Sequence, residues 1–129
     1  MADDITAAAP IGSVHAVVFD CADAESLLVF YQRVTGWRRE QAANGEWLVL
    51  RGDDGMRLAF QEVPDHRPPT WRGTGCPQQL HLDVMVDDLD VAEPRVLALG
   101  ATLLEGSDKP IGWRVYADPA GHPFCLTTN

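Results

Sequence analysis

The chain repeats itself once. Asp23 and Asp88 stand 65 residues apart, Gly36 and Gly100 stand 64 apart, and the pairs Trp47/Trp113 and Gly55/Gly121 are each separated by 66. The aspartates open helical stretches, the first two glycines close them, the tryptophans sit in extended segments and the last two glycines sit in tight turns. A unit of this length that occurs only twice is neither a solenoid nor an array, so the two halves must close one shared core.

Each half reads strand, helix, strand, strand, strand. In the first, residues 14 to 21 are β-branched and apolar, Asp23 is placed to cap a helix, and Leu27, Phe30, Tyr31 and Val34 form one apolar stripe that ends at Gly36. Extended segments follow at 37 to 41, 47 to 51 and 56 to 63, the last two joined by the turn Asp53-Asp54-Gly55. In the second half a strand at 80 to 86 leads to Asp88, then to a helix with Leu89, Ala92, Val96 and Leu99 inward and a stop at Gly100. Pro94 is expected to limit where that helix begins. Segments at 101 to 105, 112 to 117 and 123 to 128 complete the pattern, with Asp118-Pro119-Ala120-Gly121 as the last turn. The expected fold is α+β: two βαβββ modules, residues 12 to 63 and 78 to 128, making one curved eight-stranded cup with both helices outside it. Residues 1 to 11 read as a flexible tail. Residues 64 to 77, with four of the nine prolines and two glycines, form a connector.

Composition narrows the function. Nineteen acidic against ten basic residues give a net charge of −9, and neither half is basic. Nucleic acid and anionic membrane surfaces, which are bound by lysine and arginine, are therefore excluded as expected partners. No apolar run reaches the roughly 20 residues of a membrane span and the N-terminus lacks a basic-then-apolar profile, so a cytoplasmic location is expected. Cys21, Cys76 and Cys125 are an odd number without paired spacing and read as reduced thiols, Cys21 as a small buried hydrophobe.

The stretches Asp23-Ala-Glu-Ser-Leu-Leu-Val-Phe-Tyr-Gln-Arg-Val-Thr-Gly-Trp37, His81-Leu-Asp-Val-Met-Val-Asp-Asp-Leu-Asp90 and Asp118-Pro-Ala-Gly-His-Pro-Phe-Cys-Leu126, with Pro68 to Trp71 between them, resemble the glyoxalase, bleomycin-resistance and extradiol-dioxygenase (vicinal oxygen chelate) superfamily, in its glyoxalase-like branch. The resemblance covers residues 12 to 128. It implies a cup that holds a small organic molecule, in many members with a divalent metal, and a homodimer. In metal-using relatives the ligands come from the first and last strands of each module. Those positions are Ala16, His81, Ala59 and Cys125 in this chain, so the resemblance retains two donors and loses two. No metal cofactor is expected.

Strand alternation places the candidates independently. Leu80, Leu82, Val84 and Val86 form a helix-facing side, which turns His81, Asp83 and Met85 to the concave face. The same parity puts Ala16, Val18 and Asp20, Ala59 and Gln61, and Cys125 and Thr127 on that face. His15 has the opposite parity and is a poor ligand candidate. His81 and Asp83 are the expected proton-transfer residues; Asp20, Gln61, Trp71, Met85 and Cys125 are the expected ligand-binding residues. A metal at His81, Cys125 and a swung-in Asp83, Asp20 or Gln61 is the competing arrangement. Cys125 beside His81 invites an activated thiolate, but a buried inert thiol fits better, since no oxyanion-hole motif accompanies it. His122 reads as a turn residue. Trp47 and Trp113, being repeat-related, are expected to pack, whereas Trp71 in the connector is expected to wall the cup. Its neighbours His66, Arg67 and Arg72 either meet an anionic ligand or form a solvated loop.

The first reading is a small-molecule-binding protein, with metal-free isomerase or lyase chemistry at His81 and Asp83. A metal-dependent lyase or dioxygenase and a drug-sequestering resistance protein are its alternatives.

Overall fold

The computed structural model describes residues 9–41 and 47–128; residues 1–8 of the expected tail lie outside them. The first module runs β1 (Val17–Cys21), α1 (Ala24–Thr35), β2 (Arg38–Glu40), β3 (Trp47–Arg51) and β4 (Arg57–Glu62). The second runs β5 (Leu82–Met85), α2 (Leu89–Ala98), β6 (Thr102–Glu105), β7 (Trp113–Ala117) and β8 (Pro123–Thr127). The eight strands divide between two four-stranded sheets of identical plan, β1-β4-β3-β2 and β5-β8-β7-β6. In each, the first strand pairs parallel with the last, and the remaining pairs are antiparallel. Among the described residues no backbone ladder joins β1 to β5, so each of these strands keeps one open edge.

Both helices start where side-chain oxygens meet the free N–H groups of a first turn. Asp23 accepts from the Ser26 amide at 3.1 Å, and Asp88 accepts from Asp90 and Val91 at 2.8 and 3.2 Å. Gly36 closes α1 in the left-handed conformation that a Cβ disfavours. The expectation for Pro94 needs correction, because α2 begins at Leu89 and carries the proline inside it. Its missing N–H leaves the Asp90 carbonyl without the usual donor one turn later. The double cap from Asp88 holds the preceding turn together.

The helix-facing sides of both sheets and both helices form a single core. Leu27, Leu28, Phe30 and Tyr31 of α1 are buried against Leu50, Leu58 and Phe60, and the same helix reaches the other module. Phe30 and Tyr31 lie 5.7 and 6.3 Å, ring to ring, from Phe124 of β8, which stacks on Tyr116 at 5.6 Å. The Tyr31 hydroxyl donates to Asp118 at 2.6 Å across 87 residues of sequence. Asp118 also accepts from the amides of Ala120 and His122, both at 2.9 Å, which shapes the turn before β8. On the outer side of the second sheet the buried Arg114 donates to Asp90 at 2.7 Å and to the Lys109 carbonyl at 2.7 Å, tying the loop before β7 to α2.

Tyr31→Phe is expected to destabilise the fold by about 1–2 kcal/mol, since it removes a donor from a buried carboxylate. Urea denaturation measures this, and a loss near zero would show that the two modules do not depend on the bond. Burial holds the Asp118 carboxyl above its ordinary range, so the folded chain binds that proton more tightly than the unfolded chain. Its contribution is complete below the ordinary aspartate range and falls as pH rises through the folded value. Asp118→Asn should flatten this part of the stability–pH curve.

Candidate functional site

β5 sets the site. Leu82 and Val84 pack on the core while Asp83 and Met85 point to the other face, as does Cys125 beside Asp83 in the β5/β8 register. The backbone pairing continues this row through Val115 to Glu105 on β6. His81 immediately precedes β5, and its Nε2 lies 3.3 Å from Asp83 Oδ1. One donor atom each from His81, Asp83 and Cys125 falls within 4.8 Å of the others. These residues border a cavity of about 300 Å³ whose remaining walls are Trp71, Trp113 and Thr127.

The connector supplies one wall and is itself clamped. The Trp71 indole donates to Glu105 at 2.9 Å, and its ring meets that of His81 nearly edge-on at 6.3 Å. Arg72 lies over the Trp71 ring and also pairs with Glu105. Farther back, Pro68 sits against Gly121, where an added Cβ would collide with Pro68 Cβ. Gly121 also has a φ of 93°, so the turn needs glycine both for its backbone and for this close approach.

Electrostatically, Cys125 is a poor nucleophile. Burial, followed by the neighbouring Asp83 carboxylate, pushes its thiol up to about 11. Cys21 is likewise pushed to about 11, burial again first, and its thiol donates to the Gln61 carbonyl.

Of the sequence candidates, His81, Asp83, Cys125 and Trp71 come together. Asp20 does not reach this cavity; it lines a second one of about 630 Å³, which His81 also borders. Gln61 lies on the first sheet, paired in register with Asp20 and Trp47, and lines neither cavity. Met85 is exposed on the concave side beyond them. The expectation that Trp113 packs like Trp47 is corrected: it is 53% exposed and walls the smaller cavity. Its register partner Thr127 shares the concave face, and parity with Cys125 was the signal available for it. The pairing of His66 with His122, rings 5.4 Å apart, was not legible from sequence. Each spends its Nε2 on a carbonyl, His66 on Ala120 and His122 on Asp20.

A family model described as a glyoxalase-like domain matches residues 16–127. The chain belongs to the glyoxalase-like domain family. Solved structures agree on the fold of this glyoxalase-like chain. A glyoxalase/bleomycin resistance protein/dioxygenase family enzyme from Burkholderia phytofirmans superposes with a TM-score of 0.68 at 18% identity, covering 89% of this chain and 97% of that one. A mutant of the fosfomycin resistance protein FosX from Listeria monocytogenes, complexed with Mn(II) and 1S,2S-dihydroxypropylphosphonic acid, gives 0.69 at 14% identity, covering 93% and 92%. FosX from Mesorhizobium loti gives 0.68 at 17%, covering 93% and 94%. At these identities the likeness speaks for the fold alone. No curated protein matches the chain. Among the described residues no helix is long and apolar enough to cross a membrane.

At neutral pH, iodoacetamide is expected to modify the half-buried Cys76 and to spare the buried Cys21 and Cys125, with reaction at Cys125 accelerating only as pH approaches about 11. Peptide mass spectrometry reads this directly. Rapid labelling of Cys125 at neutral pH would restore the thiolate reading.

Proposed function

We propose that this chain binds a small oxygenated organic molecule between Trp71 and Trp113 and moves a proton on it with His81, an isomerase or lyase step that needs no metal. The observation that carries the reading is the 3.3 Å approach of His81 Nε2 to Asp83 Oδ1 at the edge of a cavity with aromatic walls. A carboxylate beside Nε2 favours the tautomer protonated there and leaves Nδ1 as the basic atom. In the forward step Nδ1 takes a proton from the bound molecule, and Asp83 balances the charge that the ring acquires. Return of that proton to a neighbouring atom completes an isomerisation; loss of a leaving group completes an elimination. The tryptophans hold the molecule's faces and limit water. A cytoplasmic homodimer is the setting proposed for this activity.

The second reading is a metal centre, favoured by the convergence of His81, Asp83 and Cys125. Imidazole, carboxylate and thiolate are a reasonable donor set for zinc, and three protein ligands leave one position for a substrate. Metal binding would itself remove the Cys125 proton. Ala16 and Ala59 offer no donor at the other two places where the family resemblance puts ligands. A bound cation would polarise a substrate oxygen as a Lewis acid. FosX, with its Mn(II) and phosphonate, is the neighbour that lends support to this reading.

Incubation with 2-hydroxyketones and 2-oxo acids in deuterium oxide, followed by NMR, tests the first reading. Solvent deuterium should enter at least one of these compounds. His81→Ala should slow the exchange by roughly 10²-fold or more, the scale of a lost general base, with little change in melting temperature. No exchange with any compound, or equal exchange in His81→Ala, would defeat it. Elemental analysis after chelator-free purification should find substoichiometric metal. A full equivalent of zinc, manganese, iron or nickel, lost in both His81→Ala and Cys125→Ala, would transfer the conclusion to the second reading.

A further inference from the structure

The larger cavity, about 630 Å³, lies where β1, the start of β5 and the connector meet, and the proton-transfer step uses none of it except His81. Its walls are mainly apolar, with Val17, Phe19, Val63, Leu80 and Leu82 among them. A cavity of this size and character is the usual form of a small-molecule site. Two polar groups on its lining have hydrogen-bonding capacity that the protein leaves unused. Gln78 Oε1 is buried and accepts no hydrogen bond. An unmet buried acceptor is costly unless something supplies an N–H or O–H.

Arg67, which is exposed to solvent, is the second. Its Nη2 donates to Cys76 Sγ at 2.9 Å, and among the described residues it makes no ion pair. Arg72, five residues on, is by contrast committed to Glu105 and Trp71. A guanidinium has five donors in a planar fork, so Arg67 retains capacity for a carboxylate or sulfonate. His66 and His122 border the same space, but their Nε2 atoms are taken by carbonyls. Asp20 and Asp65 also line it. Two carboxylates against one unpaired guanidinium give a small inorganic anion no net attraction, so apolar contact must contribute most of the binding.

We propose that this cavity is a compartment for an amphipathic organic acid. The apolar body lies against Val17, Phe19 and Leu82, the anionic head meets Arg67, and a donor on the body satisfies Gln78. Because His81 borders both cavities, a molecule seated here ends beside the His81–Asp83 pair. In that respect the inference names the substrate class of the proposed function and rests on that reading; binding in the compartment does not.

The test is titration of the full chain with 1-anilinonaphthalene-8-sulfonate, an amphipathic anion that brightens in apolar surroundings, followed by displacement with octanoate, octanol and inorganic phosphate. Saturable one-site binding is expected, displaced more readily by octanoate than by octanol and not by phosphate. Arg67→Gln should raise the octanoate requirement by about tenfold, the scale of one charge-assisted contact, and leave that of octanol unchanged. Leu80 is 81% exposed, so Leu80→Trp should fold normally, as its melting temperature will verify, and should block both by filling the cavity. Val91→Ala, at an exposed position of α2 that lines neither cavity, should change neither. Absence of saturable binding, equal effects of Arg67→Gln on octanoate and octanol, or unimpaired binding in Leu80→Trp would each overturn the proposal. The deuterium-exchange result is independent: if exchange fails while octanoate binding persists, the proton-transfer reading falls and the compartment stands.

Discussion

The fold depends on α1 facing two ways. A four-stranded sheet with one helix has too little apolar surface to make a stable core by itself, and the repeat doubles the unit without solving the problem unless the halves share an interior. Phe30 and Tyr31 provide the sharing by reaching past their own sheet to Phe124. The aromatic seam that results is non-directional, and the Tyr31 to Asp118 bond adds direction by fixing the helix against one turn. That turn leads into β8, so the contact that joins the modules also determines where Cys125 stands.

From this arrangement the chemistry follows by parity. Every residue that packs inward on β5 and β8 turns its sequence neighbour outward, and the outward set on these two strands includes a carboxylate and a thiol, with an imidazole at the strand's threshold. The connector then converts an open sheet face into a bounded space. Glu105 is central to that conversion, since it accepts from the Trp71 indole and pairs with Arg72 at once. Its carboxyl is held below the usual range, first by the Trp71 hydrogen bond and then by Arg72, so it remains an anion for both partners through neutral and mildly acid conditions.

What could be read from the sequence was local. Caps at Asp23 and Asp88, the α1 stripe and the faces of β5 and β8 depend on spacing alone, and the structure shows them. Pro94 shows the limit of propensity, because a strong cap and packing at Leu89 and Val96 outweigh one missing donor. Gln61 and Asp20 share a parity with His81, but parity cannot say which sheet closes over which cavity. Trp113 departs from its repeat mate because symmetry between the modules is not equivalence; Trp47 has Gln61 opposite it and lines neither cavity, whereas Trp113 walls the smaller cavity together with the connector's Trp71. The contacts of His66 and His122 arise only when the connector folds back over β1, and no spacing encodes that.

Gly121 carries a consequence for how such a chain can change. Its missing side chain lets Pro68 settle on the turn, and the connector anchored there borders both cavities. A single methyl at this position would lift the connector at this contact, so access to two chambers is governed from a residue that lines neither. Variation in what this scaffold admits can therefore come from the hinge of its cover, with the chemical groups on the sheet left as they are.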